Sequence, residues 1–574
     1  MIGRAIAKAP LGRRRLLGTA LAGGGAAFVA ACGGSKSRTD TGASNSSTGS
    51  GGSLGGAATV TTGQTVPGAT EQAKRGGTFA IINGPPRSLD PHFDTFPANT
   101  IVTNNVYDSL LRFVPDLTKI EPELAVAMPE SPDPLTFTFK LRQGVKYQNV
   151  APANGREMVA DDVKYSIERQ MTNNPGKFQH AYFFLNRVTN IETPDKYTIK
   201  FTMAKPYAPF VSYIASPWTQ VILRELVEKE GDLTTKAVGT GPFIFDEWQK
   251  DVQHRLHKNP DYWEKDAAGG ALPYVDNLVI RISEDANAVQ SMFANGDVLA
   301  APIQFTFVDQ MKKQQPKANY RAVPSQFWRQ MRTMPWDGVK YQQKAPFTDI
   351  RVRQAIVQAV NKKEVLDLVL SGDGLPAFGP ILPVYKTWAL KEDPVKFDVA
   401  ESKKLLEAAG LANGWDDEMI FAQGAAGDIA SQVAEVLKVQ LAKINVRLTL
   451  KPMETTAYYN KTYAYDYTFS HHVPLNNPDP DENLASYFGA TSTFYKWGNK
   501  EIHALIDKQA ETLDQNERLK LVTEAQQKVV LDYPMSFIYE PNVHYFTASK
   551  VKGWFYSNDY YNGRLKTVWL DPNA

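Results

Sequence analysis

The spacing of hydrophobic and polar residues changes repeatedly along the chain, and each change predicts a strand or a helix. Residues 77–82 and 135–141 predict strands, the second because apolar and polar residues alternate as in a strand with one buried face. After residue 348 the spacing becomes helical, with apolar residues recurring every three or four positions. These helical positions are Val352, Ala355, Ile356, Ala359 and Val360.

Capping residues mark where further helices begin. Asp349 precedes the helical stretch just described, and Asn361, Asp398 and Asp514 are each followed three residues later by a glutamate. Gly410 is predicted to end the helix that Asp398 starts. Helix followed by strand recurs as well, since a helical stretch over 433–444 leads into a strand at 446–450. This mixture predicts an α/β fold with mixed sheets.

The first 31 residues have the pattern of an export signal. Three arginines, residues 13–15, precede an apolar stretch that is too short and too rich in glycine to be a transmembrane helix of about 20 residues. Residues 12–17 resemble a twin-arginine signal, and residues 29–32 resemble the lipobox of bacterial lipoproteins. Cleavage before Cys32 would free its thiol to carry lipid. We therefore expect the protein to be exported and anchored by lipid to the outer face of the cytoplasmic membrane.

Composition and charge predict a flexible linker and limit the kinds of partner that the protein binds. Residues 32–75 are dominated by Gly, Ser, Thr and Ala without apolar periodicity, which predicts a flexible linker. Removal of the signal takes away five of the 63 basic residues and leaves 58 Lys and Arg against 61 Asp and Glu. This balance argues against a nucleic-acid partner. Cys32 is the only cysteine, so the chain has no intramolecular disulfide.

No catalytic motif is present. The chain lacks a P-loop, a zincin motif and a cysteine pair, so we expect neither an enzyme nor a bound cofactor or metal. The glycine-rich residues 239–243 are predicted to form a tight turn before a strand. His471 and His472 are adjacent, and adjacent residues of a strand point to opposite faces, which disfavours a shared metal. The acidic residues 479–482 lack the order of an EF-hand and predict a solvated turn.

Short segments in a fixed order carry a family resemblance. The chain resembles the large solute-binding proteins of ABC importers, extracellular family five, which include the dipeptide- and oligopeptide-binding proteins. The segments span nearly all of the chain after the linker. They are residues 75–79 (RGGTF), 88–91 (SLDP), 106–111 (VYDSLL), 123–125 (ELA), 137–145 (FTFKLRQGV), 160–166 (ADDVKYS), 238–243 (VGTGPF), 259–263 (NPDYW), 347–355 (FTDIRVRQA) and 403–410 (KKLLEAAG).

The resemblance implies a two-lobed periplasmic-binding-protein type II fold that closes around a solute between its lobes. By analogy, lobe one spans 76–322 with an extra subdomain at 116–236, lobe two spans 323–541, and 542–574 return to lobe one. Two chain crossings would form the hinge, whose residues absorb the rotation of the lobes. The family also implies a permease in the membrane as partner. We expect a monomer.

The candidate ligand contacts follow from position in the family and from chemistry. Aromatic side chains offer flat apolar area with a polar edge, which suits a sugar or an amide ligand alike. From lobe one they are Asp94, Thr95 and Phe96, and from lobe two they are Tyr385, Trp388, His471, His472, Asn476 and Asp479.

The identity of the ligand stays open at this point. Peptide binders of the family resemble one another in an acidic residue, close after a tryptophan, that pairs with the peptide ammonium. Here the matching position is about Asn476, and neither the acid nor the tryptophan is present. A peptide is the first expectation, with an oligosaccharide or a nickel complex as alternatives. A secreted, lipid-anchored hydrolase is the alternative from another class, and an adhesive lipoprotein, which would be expected to contain repeats, is a further one.

Overall fold

The protein is described by a computed structural model that covers most of the chain beyond the predicted linker. All described residues belong to the second of two units, Thr59–Ala574. Asp94, Thr95, Phe96, Asn476 and the whole export signal with Cys32 lie outside the described residues. The described residues are 73–92, 97–114, 117, 119–171, 187–333, 345–423, 427–473, 478–490, 492, 495, 497–554 and 564–574.

Strands and helices alternate throughout the described chain. The strands are β1 (Thr78–Asn83), β2 (Leu111–Phe113), β3 (Ile120–Pro122), β4 (Thr136–Lys140), β5 (Val188–Asp195), β6 (Thr198–Met203), β7 (Phe243–Gln249), β8 (Gln253–Lys258), β9 (Asn277–Ile282), β10 (Ala300–Ile303), β11 (Asn319–Pro324), β12 (Arg329–Thr333), β13 (Gly374–Pro376), β14 (Trp415–Gln423), β15 (Val446–Glu454), β16 (Phe469–His472), β17 (Met535–Thr547), β18 (Val551–Lys552) and β19 (Trp569–Leu570). The helices are α1 (Pro97–Val106), α2 (Ala160–Met171), α3 (Phe210–Ile214), α4 (Arg224–Glu230), α5 (Ala286–Asn295), α6 (Val308–Gln314), α7 (Ile350–Gln358), α8 (Lys362–Leu370), α9 (Val399–Ala408), α10 (Gly427–Ala442), α11 (Thr455–Tyr463), α12 (Pro480–Phe488), α13 (Lys500–Glu511) and α14 (Gln515–Leu531). Short 3-10 turns occupy Pro217–Thr219 and Phe305–Phe307.

One sheet of 12 strands contains both parallel and antiparallel pairs. Its order is β15-β14-β16-β12-β17-β10-β1-β9-β8-β7, with β11 and β13 also paired to β17. β14 is parallel to β15 and β16, and β1 is parallel to β9 and β10. The predicted α/β class with mixed sheets is therefore confirmed. A separate sheet with the order β4-β6-β5 lies within the segment predicted as a subdomain.

Strand β17 joins the two halves of the large sheet. Its first part, Met535–Tyr539, pairs with β12, and its second part, Asn542–Thr547, pairs with β11. The chain therefore crosses between the halves at about 324–329 and again at about 539–542. The predicted lobe boundaries at 322 and 541 lie close to these crossings, and the assignment of the lobes stays a prediction.

The predicted helix starts are confirmed by their caps. The side chain of Asp349 accepts a hydrogen bond from the backbone of α7, Asn361 from α8, Asp398 from α9 and Asp514 from α14. Each cap satisfies a backbone N–H that the helix itself leaves without a partner, which stabilises the start by about 1 kcal/mol. Gly410 follows α9 with φ +75°, as a helix-ending glycine does.

Apolar side chains of neighbouring residues enter different cores. Met419 and Phe421 of β14 belong to a core beneath α7, α8 and α10, while Ile420 between them belongs to an aromatic core beneath α12, α13 and α14. Trp328 and Phe537 stack in that aromatic core with ring centroids 5.0 Å apart. Helices thus cover both faces of this half of the sheet.

The glycine-rich turn before β7 serves close packing. A side chain at Gly239 would place its Cβ 2.2 Å from the carbonyl oxygen of Val106, and at Gly241 it would lie 2.6 Å from the Val106 carbonyl carbon. Only glycine allows the two backbones to approach this closely. The predicted tight turn before a strand is confirmed, since β7 begins at Phe243.

The prediction of a solvated turn at residues 479–482 is wrong. Asp479 caps α12, and the side chains of Asp479, Asp481 and Glu482 are all buried. Burial is possible because Arg518 supplies a positive charge and the first amides of α12 supply a hydrogen-bond donor.

No helix among the described residues is long and apolar enough to cross a membrane.

Candidate functional site

The candidate site lies where β16 ends and β12 begins, beside the crossing made by β17. His472 is the last residue of β16 and pairs with Gln330, and Arg329 is the first residue of β12 and pairs with Tyr539. β14 and β16 are parallel, so their carboxyl ends meet at this edge. Crevices at the carboxyl ends of strands are the usual binding sites of open α/β sheets. The edge therefore brings charged and aromatic side chains to the junction of the two halves.

The two histidines point to opposite faces, as predicted. The ring Nδ1 of His472 lies 2.8 Å from the Tyr458 hydroxyl, whereas both ring nitrogens of His471 are buried without a hydrogen-bond partner among the described residues. Burial, together with the positive charge of Arg329, lowers the pKa of His471 to about 3. Burial also holds the pKa of His472 well below its usual value. Both rings are consequently neutral at physiological pH.

Two buried arginines also lie on β12. Arg329 and Arg332 are less than a tenth exposed, and neither has a carboxylate partner among the described residues. Burial lowers the pKa of Arg329, and the phenols of Tyr539 and Tyr459 offset part of that effect. Arg332 lies over the rings of two tyrosines of the aromatic core. This end of the sheet therefore carries buried positive charge.

Several buried polar atoms at this edge have no hydrogen-bond partner among the described residues. Folded proteins pair the great majority of such atoms, because an unpaired buried one costs about 1–3 kcal/mol. Atoms of this kind occur elsewhere in the described chain too, but those at the carboxyl ends of the strands lie where open α/β sheets bind their ligands. They are the amide O and N of Gln326, the indole N–H of Trp328, Nη1 of Arg329 and both ring nitrogens of His471.

Two of the other predicted contacts, Asp479 and Trp388, meet at one arginine, and Tyr385 is linked to them through Trp388. Arg518 binds both carboxylate oxygens of Asp479, at 2.6 and 3.2 Å, and its guanidinium lies 5.3 Å from the centre of the Trp388 ring. Tyr385 is buried in the aromatic core nearby, and its carbonyl accepts the backbone N–H of Trp388. Asp479, Trp388 and Tyr385 are thus brought together. Asp479 is already engaged by the protein itself, and its role as a ligand contact stays a prediction.

Contacts also join the 205–213 segment to α12 and α13. The hydroxyl of Tyr207 donates to Asp481 at 3.0 Å, and the backbone N–H of Ala208 donates to the Ala510 carbonyl at 2.8 Å. Gln509 donates to the other oxygen of Asp481 at 2.6 Å. Burial raises the pKa of Asp481, with the charge of Asp479 acting in the same direction. These contacts tie the predicted subdomain to predicted lobe two.

Two cavities lie elsewhere on the described surface. One of about 320 Å³ lies between residues 284–307 and the helices α8 and α10. A second of about 850 Å³ is lined by residues from 86 to 250 alone. None of the predicted site residues that the structure describes lines either cavity. No group of histidine and carboxylate side chains within the described chain is arranged to hold a metal ion.

Sequence reasoning missed Arg329 and Arg332. Their signal is present in the chain, since residues 327–333 (FWRQMRT) combine aromatic and apolar residues with two arginines three positions apart. Arginine is almost never fully buried without a reason, so burial of this strand would have drawn attention to both. The sequence alone does not show that β12 pairs with β16 and β17, and these pairings bury the strand.

Comparisons with known proteins identify the family of the chain. Residues 119–495 match the family described as bacterial extracellular solute-binding proteins, family 5 middle. The di/tripeptide-binding protein 1 of Pseudomonas aeruginosa (strain UCBPP-PA14) is 29% identical over 523 residues, covering 84% of this chain and 93% of that protein. The dipeptide-binding protein of Escherichia coli (strain K12) is 27% identical over 502 residues, covering 82% and 90%.

A solved structure has the same fold. The ABC transporter-associated periplasmic binding protein DppA of Helicobacter pylori, in complex with the peptide STSA, superposes with a TM-score of 0.75 at 26% sequence identity. The superposition covers 87% of this chain and 98% of that chain. The expected fold, the α/β periplasmic-binding-protein type II fold with mixed sheets, is confirmed.

Proposed function

Because the chain belongs to the bacterial extracellular solute-binding proteins of family 5, we propose that it captures a peptide between two lobes and delivers it to the permease of an ABC importer. The family consists of substrate-binding transport proteins rather than enzymes. In the proposed assignment the lobes are 76–322 with 542–574, and 323–541, with the subdomain at 116–236. The hinge then consists of the two crossings on either side of β17.

One observation carries the proposal. Buried polar atoms of Gln326, Arg329 and His471 lack hydrogen-bond partners among the described residues, and all three lie at the sheet edge beside the crossings. A solute held between the lobes would meet these atoms when the lobes close. The arrangement also contains the chemistry that binding needs: aromatic surface, neutral histidines and a buried positive charge.

A peptide is favoured as the solute. The two curated relatives described above are named for di- or tripeptides, and the solved relative holds the peptide STSA. An oligosaccharide has no counterpart among these three proteins. The nickel complex stays the less favoured alternative, since NikZ of Campylobacter jejuni in complex with Ni(L-His) superposes with a TM-score of 0.70 at 20% identity, covering 83% of this chain and 95% of that chain. The proposed contacts remain Asp94, Thr95, Phe96 and Asn476 with the lobe-two residues, and Arg329 is added to them.

Thermal-shift screening tests the proposal. The mature protein is heated with di- to pentapeptides in one set and with oligosaccharides and the nickel–histidine complex in another. A peptide present at 100 times its dissociation constant should add about 2.7 kcal/mol to the free energy of unfolding. Stabilisation by peptides alone supports the proposal. Stabilisation by sugars or the nickel complex alone would overturn the choice of solute, and hydrolysis of a model ester without any stabilisation would overturn the receptor function.

We also propose that Cys32 carries the lipid that holds the receptor near its permease, where the local concentration of captured solute is raised. The support is the export signal followed by the lipobox-like residues 29–32. Cys32→Ser should move the protein from the membrane pellet to the soluble fraction after export. Substitution of Ser35 by Ala in the linker is the matched control and should leave it in the pellet. Membrane association of the Cys32 variant would contradict the anchor.

A further inference from the structure

A segment of the predicted subdomain, residues 205–213, packs against α12 and α13 of predicted lobe two. The hydroxyl of Tyr207 donates a hydrogen bond to Oδ2 of Asp481 at 3.0 Å. The backbone N–H of Ala208 donates to the carbonyl of Ala510 at 2.8 Å. A side-chain hydrogen bond and a backbone hydrogen bond therefore join the subdomain to lobe two.

The two carboxylate oxygens of Asp481 receive their donors from different parts of the molecule. Oδ2 accepts from Tyr207, and the hydroxyl of Tyr213 lies 3.5 Å from the same oxygen. Oδ1 accepts from the side-chain amide of Gln509, at 2.6 Å, which belongs to α13 of predicted lobe two itself. Asp481 is 1% exposed, so donors from the protein take the place of water around its carboxylate. Separation of the subdomain from lobe two would return Oδ2 to water.

Apolar packing accompanies these hydrogen bonds. Ala510 is buried in a hydrophobic core whose other buried members all come from residues 79–300 and 551–568. Tyr207 and Phe210 belong to the same core. The end of α13 therefore docks into a core that predicted lobe one builds. Hydrogen bonds in such apolar surroundings are stronger than hydrogen bonds exposed to water.

The place of these contacts relative to the crossings gives them a mechanical consequence. The chain connects the two parts only at about 324–329 and 539–542, since residues 205–213 precede the first crossing and α12 and α13 lie between the two. In the receptor proposed above, rotation of the lobes about the crossings would separate Tyr207 from Asp481 and withdraw the end of α13 from the core. Contacts made in the closed form alone lower its free energy relative to the open form.

We propose that the contacts of Tyr207 with Asp481 and of Ala208 with Ala510 form a latch, which holds the receptor closed on its solute and slows the release of that solute. The inference rests on the proposed function and adds a role for the subdomain, which sets how long the solute is held. Tyr207 is a positioning residue in this account, because it acts through Asp481 and not on the solute.

Tyr207→Phe removes the hydroxyl and keeps the ring, and the probes are the peptides Ala-Ala and Ala-Ala-Ala. Calorimetry on the full mature protein should find the peptides bound about 10- to 100-fold more weakly than by the wild type, because the closed form alone loses a hydrogen bond to a buried charge. Stopped-flow measurements should place most of this change in the dissociation rate, since the open form that captures the solute is unchanged.

Tyr147→Phe is the matched control. Tyr147 is also fully buried, and its hydroxyl donates to the Ile222 carbonyl at 3.0 Å, a contact that lies wholly within the predicted subdomain. This variant should melt lower than the wild type and bind the peptides within about threefold of it. The inference is overturned if Tyr207→Phe also binds them within about threefold of the wild type, or if its weaker binding comes from a slower association rate.

A second measurement needs no peptide. Without a solute the lobes are free to open, so Tyr207→Phe should lower the melting temperature less than Tyr147→Phe does. An equal or larger fall for Tyr207→Phe would make Tyr207 a structural residue and overturn the inference. If the wild type binds neither peptide, the proposed solute is wrong, and the melting comparison then decides the latch alone.

Discussion

The buried pair of Asp479 and Arg518 gives the sharpest prediction about a residue first proposed as a ligand contact. Asparagine at position 479 removes the charge and keeps the shape. Its side-chain oxygen still accepts the Asp481 backbone N–H, which Asp479 now does at 2.9 Å, so the cap of α12 is preserved. The substitution therefore isolates the ion pair from the cap.

The size of the effect follows from burial of both partners. Their side chains are 8% and 2% exposed and their closest atoms are 2.6 Å apart. Removal of one partner from such a pair costs about 3–5 kcal/mol, because the other charge is left buried. Asp481 offsets part of this loss: the negative charge of Asp479 helps to raise its pKa, and without that charge Asp481 ionises more readily near Arg518. We expect Asp479→Asn to lower the free energy of unfolding by about 2–4 kcal/mol.

Urea denaturation followed by tryptophan fluorescence measures this change. The control is Asp416→Asn, which breaks a pair of similar length, 2.5 Å to Arg447, on the exposed surface. Solvent screens that pair, so its loss should cost less than about 1 kcal/mol. The comparison separates a buried pair from an exposed one with the same chemical change.

A loss below about 1 kcal/mol for Asp479→Asn would refute the reasoning about the buried pair. If that small loss came with abolished peptide binding, Asp479 would be a ligand contact, as its position in the family first suggested. A large loss of stability with peptide affinity retained at low temperature would assign Asp479 to the fold alone.

Two further predictions concern groups outside that pair. Burial raises the pKa of Glu540 in the folded protein well above its usual value. The protonated carboxyl therefore favours folding below the pKa that Glu540 has in the unfolded chain, and this contribution is lost as pH rises. Glu540→Gln should accordingly melt higher than the wild type at pH 8 and equally at pH 4 in calorimetric scans. Gly241→Ala would place a Cβ 2.6 Å from the Val106 backbone, so it should lower the free energy of unfolding by more than about 2 kcal/mol. Gly84→Ala is the control, because its Cβ would have its nearest neighbour at 3.5 Å, and it should lower that free energy by less than about 1 kcal/mol. Urea denaturation measures both changes. Equal melting of Glu540→Gln and the wild type at pH 8, or equal costs for the two alanines, would contradict these accounts.

The parts of the fold that local sequence determines were predictable. Asp349, Asn361 and Asp398 each cap the helix that begins at the next residue, and the hydrogen bonds of a cap join residues only two or three positions apart. The alternation in residues 135–141 predicted β4 for the same reason. The family resemblance then supplied the arrangement of these elements.

The burial of charged residues was not predictable from local patterns. Arg329 and Arg332 are buried because β12 pairs with β16 and β17, strands that follow more than 100 residues later. Asp479 is buried because Arg518 of α14 lies opposite its carboxylate. The tertiary fold determines which residues become such partners. An acidic segment or a single arginine has the same local sequence whether it is exposed to water or buried against a partner.

The central claim is that the protein is a receptor that holds one peptide between two lobes. Isothermal titration of the mature protein with di- and tripeptides tests it most directly. The account predicts saturable binding of one peptide per chain, with a negative heat-capacity change from apolar surface that closure buries. Absence of binding for every peptide tried, with saturable binding of a sugar or a metal complex instead, would contradict it.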